Sequence, residues 1–262
     1  MAAGDIACAA GEPRAATTCR QAATAALALR LRPRLVLPLG DEQYQSASLT
    51  ELRGSYARSW GRLLSLTRPA PGNHEYKTPG AAGYYRYFAN RQPGPPGYYA
   101  AAVGRWKIFV LNSNCDQVSC VREAAWLGRV MAAHPSRCSL VTMHHPRYSS
   151  GAEHGDNPVV QPLWAAASRH HNDVVLAGHD HDYERFVPKD ATGASAWPGM
   201  SEFVVGTGGK SLYHLGTRQA GSAYYQNRTP GLLVLDLRAA SYHWAFRAID
   251  GSVLDQGTRS CT

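Results

Sequence analysis

At 262 residues, with 44% hydrophobic and 18% charged side chains, the chain is long enough to bury the core of one large domain or two small ones, and a single domain is expected. Its net charge of +8 comes from arginines scattered along the chain, with no basic stripe interleaved with aromatics. That argues against a dedicated nucleic-acid surface but leaves a basic field able to gather an anionic substrate.

No apolar run reaches the length needed to span a bilayer, and Met1 to Asp5 has neither the basic nor the apolar region of a signal peptide. The chain enters its first motif almost at once, so a leader and the start of the first strand are expected to have been cut away or replaced by an initiator Met. Six cysteines, Cys8, Cys19, Cys115, Cys120, Cys138 and Cys261, include no Cys-x-x-Cys pair. Six allow fifteen connectivities. Joining the close neighbours Cys8/Cys19 and Cys115/Cys120 leaves Cys138 for Cys261, which ties the C-terminal end to the body. Disulfides in an exported protein are one reading, and buried free thiols in a cytosolic enzyme are the other.

Gly4-Asp5 precedes a small-residue segment, Thr17 to Leu31, whose Ala and Leu content predicts a helix. Arg34 to Leu39 is an apolar strand ending at Gly40-Asp41, which makes a βαβ unit with a Gly-Asp at each strand end. A second helix is expected over Ser48 to Leu64, with Ser48 and Glu51 spaced as a capping box. Pro69 to Tyr76 is a polar cluster, and Tyr84 to Tyr99, rich in Tyr, Pro and Gly, reads as an irregular loop over the site. Trp106 to Asn112 is a strand, Val121 to His134 a helix, and Cys138 to Met143 a strand ending at His144-His145-Pro146-Arg147. A loop carrying His154 and a helix from Pro158 to His171 follow. Asp173 to Ala177 is a short β-branched strand that delivers Gly178-His179-Asp180-His181. In extended chain His179 and His181 point the same way, the spacing of a metal-ligand pair. Beyond Pro188, residues 202–205, 232–237 and 241–249 read as antiparallel, hairpin-linked strands, with Gly206 to Lys210 and Ala239-Ala240 as turns.

Five strand ends thus carry Asp5, Asp41, Asn73, His144 and the His179/His181 pair. The order Asp, Gly-Asp, Gly-Asn-His-Glu (72–75), His, Gly-His-x-His (178–181) resembles the calcineurin-like metallophosphoesterases, and its motifs span residues 4–185. Many members have Asp-x-His at the first motif, whereas Ala7 stands here. Tyr44, three residues after Asp41, can replace the missing ligand. Gly-Asp-x-x-Tyr together with Gly-His-x-His-x-Tyr-Glu-Arg is similar to the purple acid phosphatases of single-domain bacterial type. The implied fold is an α/β one, a β-sandwich of mixed sheets flanked by helices.

The resemblance implies two metal ions, one held by Asp5, Asp41, Tyr44 and His181, the other by Asp41, Asn73, His144 and His179, with Asp41 bridging. Tyr44 as a phenolate implies Fe(III), because only a strongly Lewis-acidic cation keeps so weak an acid deprotonated at neutral pH; Zn, Mn or Fe(II) would fill the other site. Metals about 3.5–4 Å apart neutralise a phosphate and supply hydroxide for in-line attack. His74 and Asn73 are expected to contact the phosphate, His74 as general acid, with His154 as a further substrate residue. His145 and Arg147 are expected to face solvent. Tyr183, Glu184 and Arg185 are expected to buttress the loop. His170 and His171 read as exposed, and Asn112 and Asn114 could approach the site. The implied activity is a secreted phosphomonoesterase acting on a small phosphate ester. A phosphodiesterase with the same metals is the near alternative, and a non-catalytic extracellular binding domain, which would predict broken ligands, the distant one.

Overall fold

The computed structural model describes residues 1–262. Two β-sheets face each other. The first has the order β12-β11-β10-β1-β2, from β1 (Ala2–Ala3), β2 (Leu37–Pro38), β10 (Gly231–Leu237), β11 (Ser241–Ala248) and β12 (Val253–Ser260). Single parallel bridges from Val36 to Thr67 and from Leu39 to Ala70 carry it one chain further. The second runs β3-β4-β5-β6-β8-β7-β9, from β3 (Tyr99–Val103), β4 (Trp106–Val110), β5 (Ser139–Thr142), β6 (Val174–Ala177), β7 (Tyr183–Phe186), β8 (Ser201–Val205) and β9 (Ser222–Gln226). Strands β4, β5, β6 and β8 are parallel.

Alternation along these strands builds two cores. Ile108, Leu140, Val174, Leu176 and Phe203 point inward to meet Leu37, Leu233 and Phe246 of the first sheet. Their neighbours Phe109, Val141 and Val175 point outward, where α5 (Cys120–Ala133) and α6 (Gln161–Arg169) bring Leu127, Met131, Leu163 and Trp164. On the far side α1 (Gln21–Leu31) and the 3₁₀ segment Trp60–Leu66 cover the first sheet. The result is a single α/β/β/α domain, as expected.

Several predicted elements differ. The helix predicted from Thr17 starts only at Gln21, because Cys19 sits at φ 55° in a disulfide and donates its N–H to the Lys210 carbonyl. The capping box at Ser48 forms, but α2 (Leu49–Gly54) is short and 3₁₀ turns follow. At the break, the Tyr56 N–H is taken by Gln43 Oε1 at 2.9 Å, outside any helical ladder. Residues 84–99 are not wholly irregular: α4 (Ala82–Phe88) buries Tyr84 and Phe88. In the C-terminal part, β8 pairs antiparallel with β7, the strand before it, but also parallel with β6, and β12 runs on to Ser260. The disulfides are Cys8–Cys19, Cys115–Cys120 and Cys138–Cys261, leaving no free thiol. No helix is long and apolar enough to cross a membrane.

Candidate metal centre

The parallel strands end along one rim, and each ends in a turn that the sequence makes tight. Asp5, Asp41 and His179 have φ of 59°, 49° and 73°, left-handed conformations that non-glycine residues adopt at a cost, and such strain collects at functional sites. Two glycines make the close approach possible. A Cβ on Gly40, itself at φ 83°, would lie 2.5 Å from His144 Nδ1, and one on Gly72 would lie 2.2 Å from Asp41 Oδ1. The short helix α3 (Asn73–Tyr76) is tied to the Asp41 turn by buried Glu75, which accepts the N–H groups of Gly72, Asp41 and Glu42 at 2.7, 2.9 and 3.0 Å.

The fold brings all seven predicted ligands together in two adjoining groups. In one, the Tyr44 hydroxyl lies 2.9 Å from Asp5 Oδ1, 3.0 Å from Asp41 Oδ2 and 2.9 Å from His181 Nε2, while His181 Nε2 is 3.2 Å from Asp5 Oδ1. In the other, His144 Nε2 lies 3.0 Å from Asn73 Oδ1, 3.4 Å from Asp41 Oδ1 and 3.2 Å from His179 Nδ1. Asp41 belongs to both, one carboxylate oxygen to each.

These contacts leave too few protons. His144 Nδ1 faces only the Leu39 carbonyl, at 2.8 Å, so it must donate there, and in the neutral imidazole Nε2 then carries a lone pair. That lone pair meets a carboxylate oxygen, the Asn73 amide oxygen and a second imidazole nitrogen. One hydroxyl hydrogen on Tyr44 likewise faces three acceptors. A knot of buried acceptors with too few donors between them suits cations, and the ligand set of carboxylate, phenol, amide oxygen and imidazole fits hard or borderline ones.

The electrostatics agree. Burial and then the charges of Asp41 and Asp5 push the Tyr44 phenol well above its ordinary value, so a cation must be present for it to ionise. Burial, then the neighbouring imidazoles His144 and His145, hold His179 neutral. Burial opposes charge on His144, but Asp41 and Asp5 raise its pKa. Asp41 stays ionised despite burial, held low by His144 and His74.

Around this knot, the His74 ring packs tilted against Tyr44 at 4.1 Å, with Nδ1 donating to the Gln45 carbonyl at 2.6 Å and Nε2 3.8 Å from Asp41 Oδ2. His154 stacks on His179 at 4.0 Å, at the rim. Two expectations change. His145 does not face solvent: it is buried, hydrogen-bonded to Ser113 Oγ at 2.9 Å, packed 4.4 Å from the His179 ring, and burial brings its pKa down to about 3. Arg147 is half-buried, its Nε donating to Gln161. Asn112 and Asn114 stop short of the centre, Asn114 Nδ2 donating to the Pro71 carbonyl at 3.1 Å. Glu184 buttresses the 149–151 loop by accepting from the backbone and hydroxyl of Ser150, both at 2.6 Å.

Sequence reasoning missed Ser211, whose Oγ is 3.0 Å from His181 Nδ1, and Tyr213, stacked on the His181 ring at 3.8 Å. Both lie in a turn thirty or more residues away, with no motif to flag them. It also missed Lys77, whose Nζ lies 2.8 Å from His74 Nε2 and whose i, i+3 spacing from His74 was visible.

Among curated proteins none matches this sequence. Solved structures share the fold, among them the following three. A purple acid phosphatase from yellow lupin (Lupinus luteus) seeds superposes with TM-score 0.77 at 18% identity over 99% of this chain and 53% of that one, so the chain spans about half the lupin protein's length. The anchor protein of the Plasmodium inner membrane complex gives 0.68 at 16% identity, over 100% of this chain and 88% of that one. A dimetal phosphatase from Danio rerio gives 0.65 at 13%, over 100% and 98%. A family model for calcineurin-like phosphoesterases matches residues 3–183, well over half the chain. With its strand-end acceptors and this match, the chain belongs to the calcineurin-like phosphoesterase family, whose members imply a dinuclear metal centre.

Proposed function

We propose that the whole chain, residues 1–262, is one domain acting as a secreted dinuclear phosphatase of the purple acid phosphatase type, with phosphomonoesters as substrates. The observation that carries this reading is Asp41, whose two carboxylate oxygens face two separate donor groups. Asp5, Asp41, Tyr44 and His181 would hold one cation, and Asp41, Asn73, His144 and His179 the other. Tyr44 favours Fe(III) in the first group, with Zn, Mn or Fe(II) in the second. Such a pair supplies Lewis acidity, offsetting the charge of the phosphate and acidifying water.

The chain's own groups do the rest. His144 Nδ1, fixed on the Leu39 carbonyl, and His181 Nδ1, fixed by Ser211 Oγ, keep both Nε2 atoms aimed inward. His74, beside Asp41 but outside the acceptor knot, would hold a phosphate oxygen and, when protonated at Nε2, give that proton to the leaving alcohol. Asn73 and His154 line the same opening and would orient the phosphate. Three disulfides favour an oxidising compartment.

The test is metal content together with the visible spectrum of the purified protein. Two metals per chain, one of them iron, with a broad charge-transfer band that disappears in Tyr44→Phe, are expected, along with hydrolysis of p-nitrophenyl phosphate. Two metals without the band would remove the iron–tyrosinate assignment. Hydrolysis of diesters but not monoesters would replace the phosphatase by a phosphodiesterase, and failure to bind stoichiometric metal would overturn the enzyme.

A further inference from the structure

Two ammonium groups stand beside the centre, and they differ in one respect. Lys210 Nζ lies 5.3 Å from the centre of the Tyr44 ring, on the inner side, and is ion-paired with Glu12, so its charge is neutralised within the protein. Lys77 has no carboxylate partner anywhere in the structure. Its Nζ sits 2.8 Å from His74 Nε2 and 3.1 Å from Nδ1, one imidazole away from the carboxylate shared by the two donor groups. Lys77 ends α3 and is exposed, while the His74 side chain beside it is 14% exposed, so both open to the approach of a ligand. The N–H of Lys77 bonds the His74 carbonyl at 3.2 Å, which fixes the root of the side chain on the same turn as His74.

A cation with no carboxylate to neutralise it, beside the proposed metal pair, has one evident use. We propose that Lys77 is a substrate-binding residue that selects phosphate carrying two negative charges, and so makes this centre prefer phosphomonoesters to phosphodiesters. The inference rests on the phosphatase reading above. A phosphomonoester is largely a dianion at neutral pH, its second pKa lying near 6. A diester carries one charge, and in place of the other anionic oxygen it has a neutral, bulkier ester arm. An ammonium beside His74 attracts the dianion's outer oxygen and gains nothing from the arm. At contact distance, in a half-solvated site, one such pairing is worth about a tenfold preference.

The experiment uses the full, metal-loaded chain and two substrates with the same leaving group, p-nitrophenyl phosphate and bis(p-nitrophenyl) phosphate, near neutral pH. In Lys77→Ala the ratio of monoester to diester kcat/KM is expected to fall about tenfold, the loss appearing mainly as a raised monoester KM. Lys77→Arg, which keeps the charge, is expected to restore the ratio to within about threefold. Calorimetry with inorganic phosphate gives a second readout, its Kd expected to rise about tenfold in Lys77→Ala while that of dimethyl phosphate moves far less. Equal losses on both substrates, with phosphate affinity unchanged, would overturn the proposal and leave Lys77 merely holding His74. A wild-type protein that hydrolyses neither ester would overturn the phosphatase reading instead, and phosphate calorimetry on the same variants would still decide the role of Lys77.

Discussion

Replacing Cys138 and Cys261 together by alanine removes the longest covalent loop, which joins positions 123 residues apart. Releasing a loop of that length adds about 16 cal/mol/K to the entropy of the unfolded chain, or about 5 kcal/mol at 25 °C. An unfolding entropy of about 2.1 cal/mol/K per residue, over 262 residues, converts this to a fall in Tm of about 9 °C. The bond lies before β5 and after β12, at the end of the sheets away from the predicted ligands. Hydrogen bonds there survive the change, with the Cys261 N–H on the Ala240 carbonyl at 2.9 Å and the Thr262 N–H on Asp173 Oδ1 at 2.8 Å. Activity per folded molecule at 25 °C should therefore be unchanged. Scanning calorimetry of the wild type and the double variant at one scan rate, with metal loading held equal, makes the comparison. A fall below about 3 °C, or a loss of activity at 25 °C with Tm preserved, would refute the reasoning.

Gly40→Ala places a methyl group against the His144 ring at a positive φ, and should cost about 1–3 kcal/mol in denaturant unfolding and lower phosphoesterase activity at least tenfold. Asp255→Ala strands the guanidinium of Arg185, the Tyr183 hydroxyl and the Trp244 indole N–H, all of which donate to that carboxylate, and should destabilise by about 3–5 kcal/mol; Asp255→Asn, which keeps an acceptor, should cost less on the same urea titration. Burial pushes the Glu202 carboxyl up to about 8 even though it accepts the Arg147 and Tyr148 N–H groups. An acid whose pKa is higher folded than unfolded favours the folded state most below the unfolded value of 4.5 and loses that contribution as pH rises towards 8. Glu202→Gln should flatten that decline, by roughly 2–4 kcal/mol between pH 5 and 8 in urea midpoints.

The site was readable because its residues sit where strands must stop. Gly-Asp at 40–41, Gly-Asn-His-Glu at 72–75 and Gly-His-x-His at 178–181 are local patterns whose backbone demands are written in adjacent residues; the first and last follow strands as read, and the second follows only the single bridge at Ala70. What escaped depends on distant partners. β9 is a polar, tyrosine-rich strand at a sheet edge, and β12, an edge strand with one buried residue, alternates too weakly to announce itself. α4 carries Gly, Tyr and Phe, poor helix formers, and is held by burial of Tyr84 and Phe88. Tyr213 and Ser211 reach His181 only through the folding of a turn with no signature. His145 looked like a loop residue beside proline, but the strand it follows carries it into the interior.

The rim where the strands end is also a seam. Asp5, Asp41 and Asn73 hang from the first sheet and its extension, whereas His144, His179 and His181 hang from the second. A cation held as proposed is therefore bonded to both halves of the sandwich and acts as a rivet, binding tightly only when the halves are in register. Metal affinity and the cohesion of the two sheets become one quantity measured twice. Chelation should speed amide hydrogen exchange along this rim in both sheets at once.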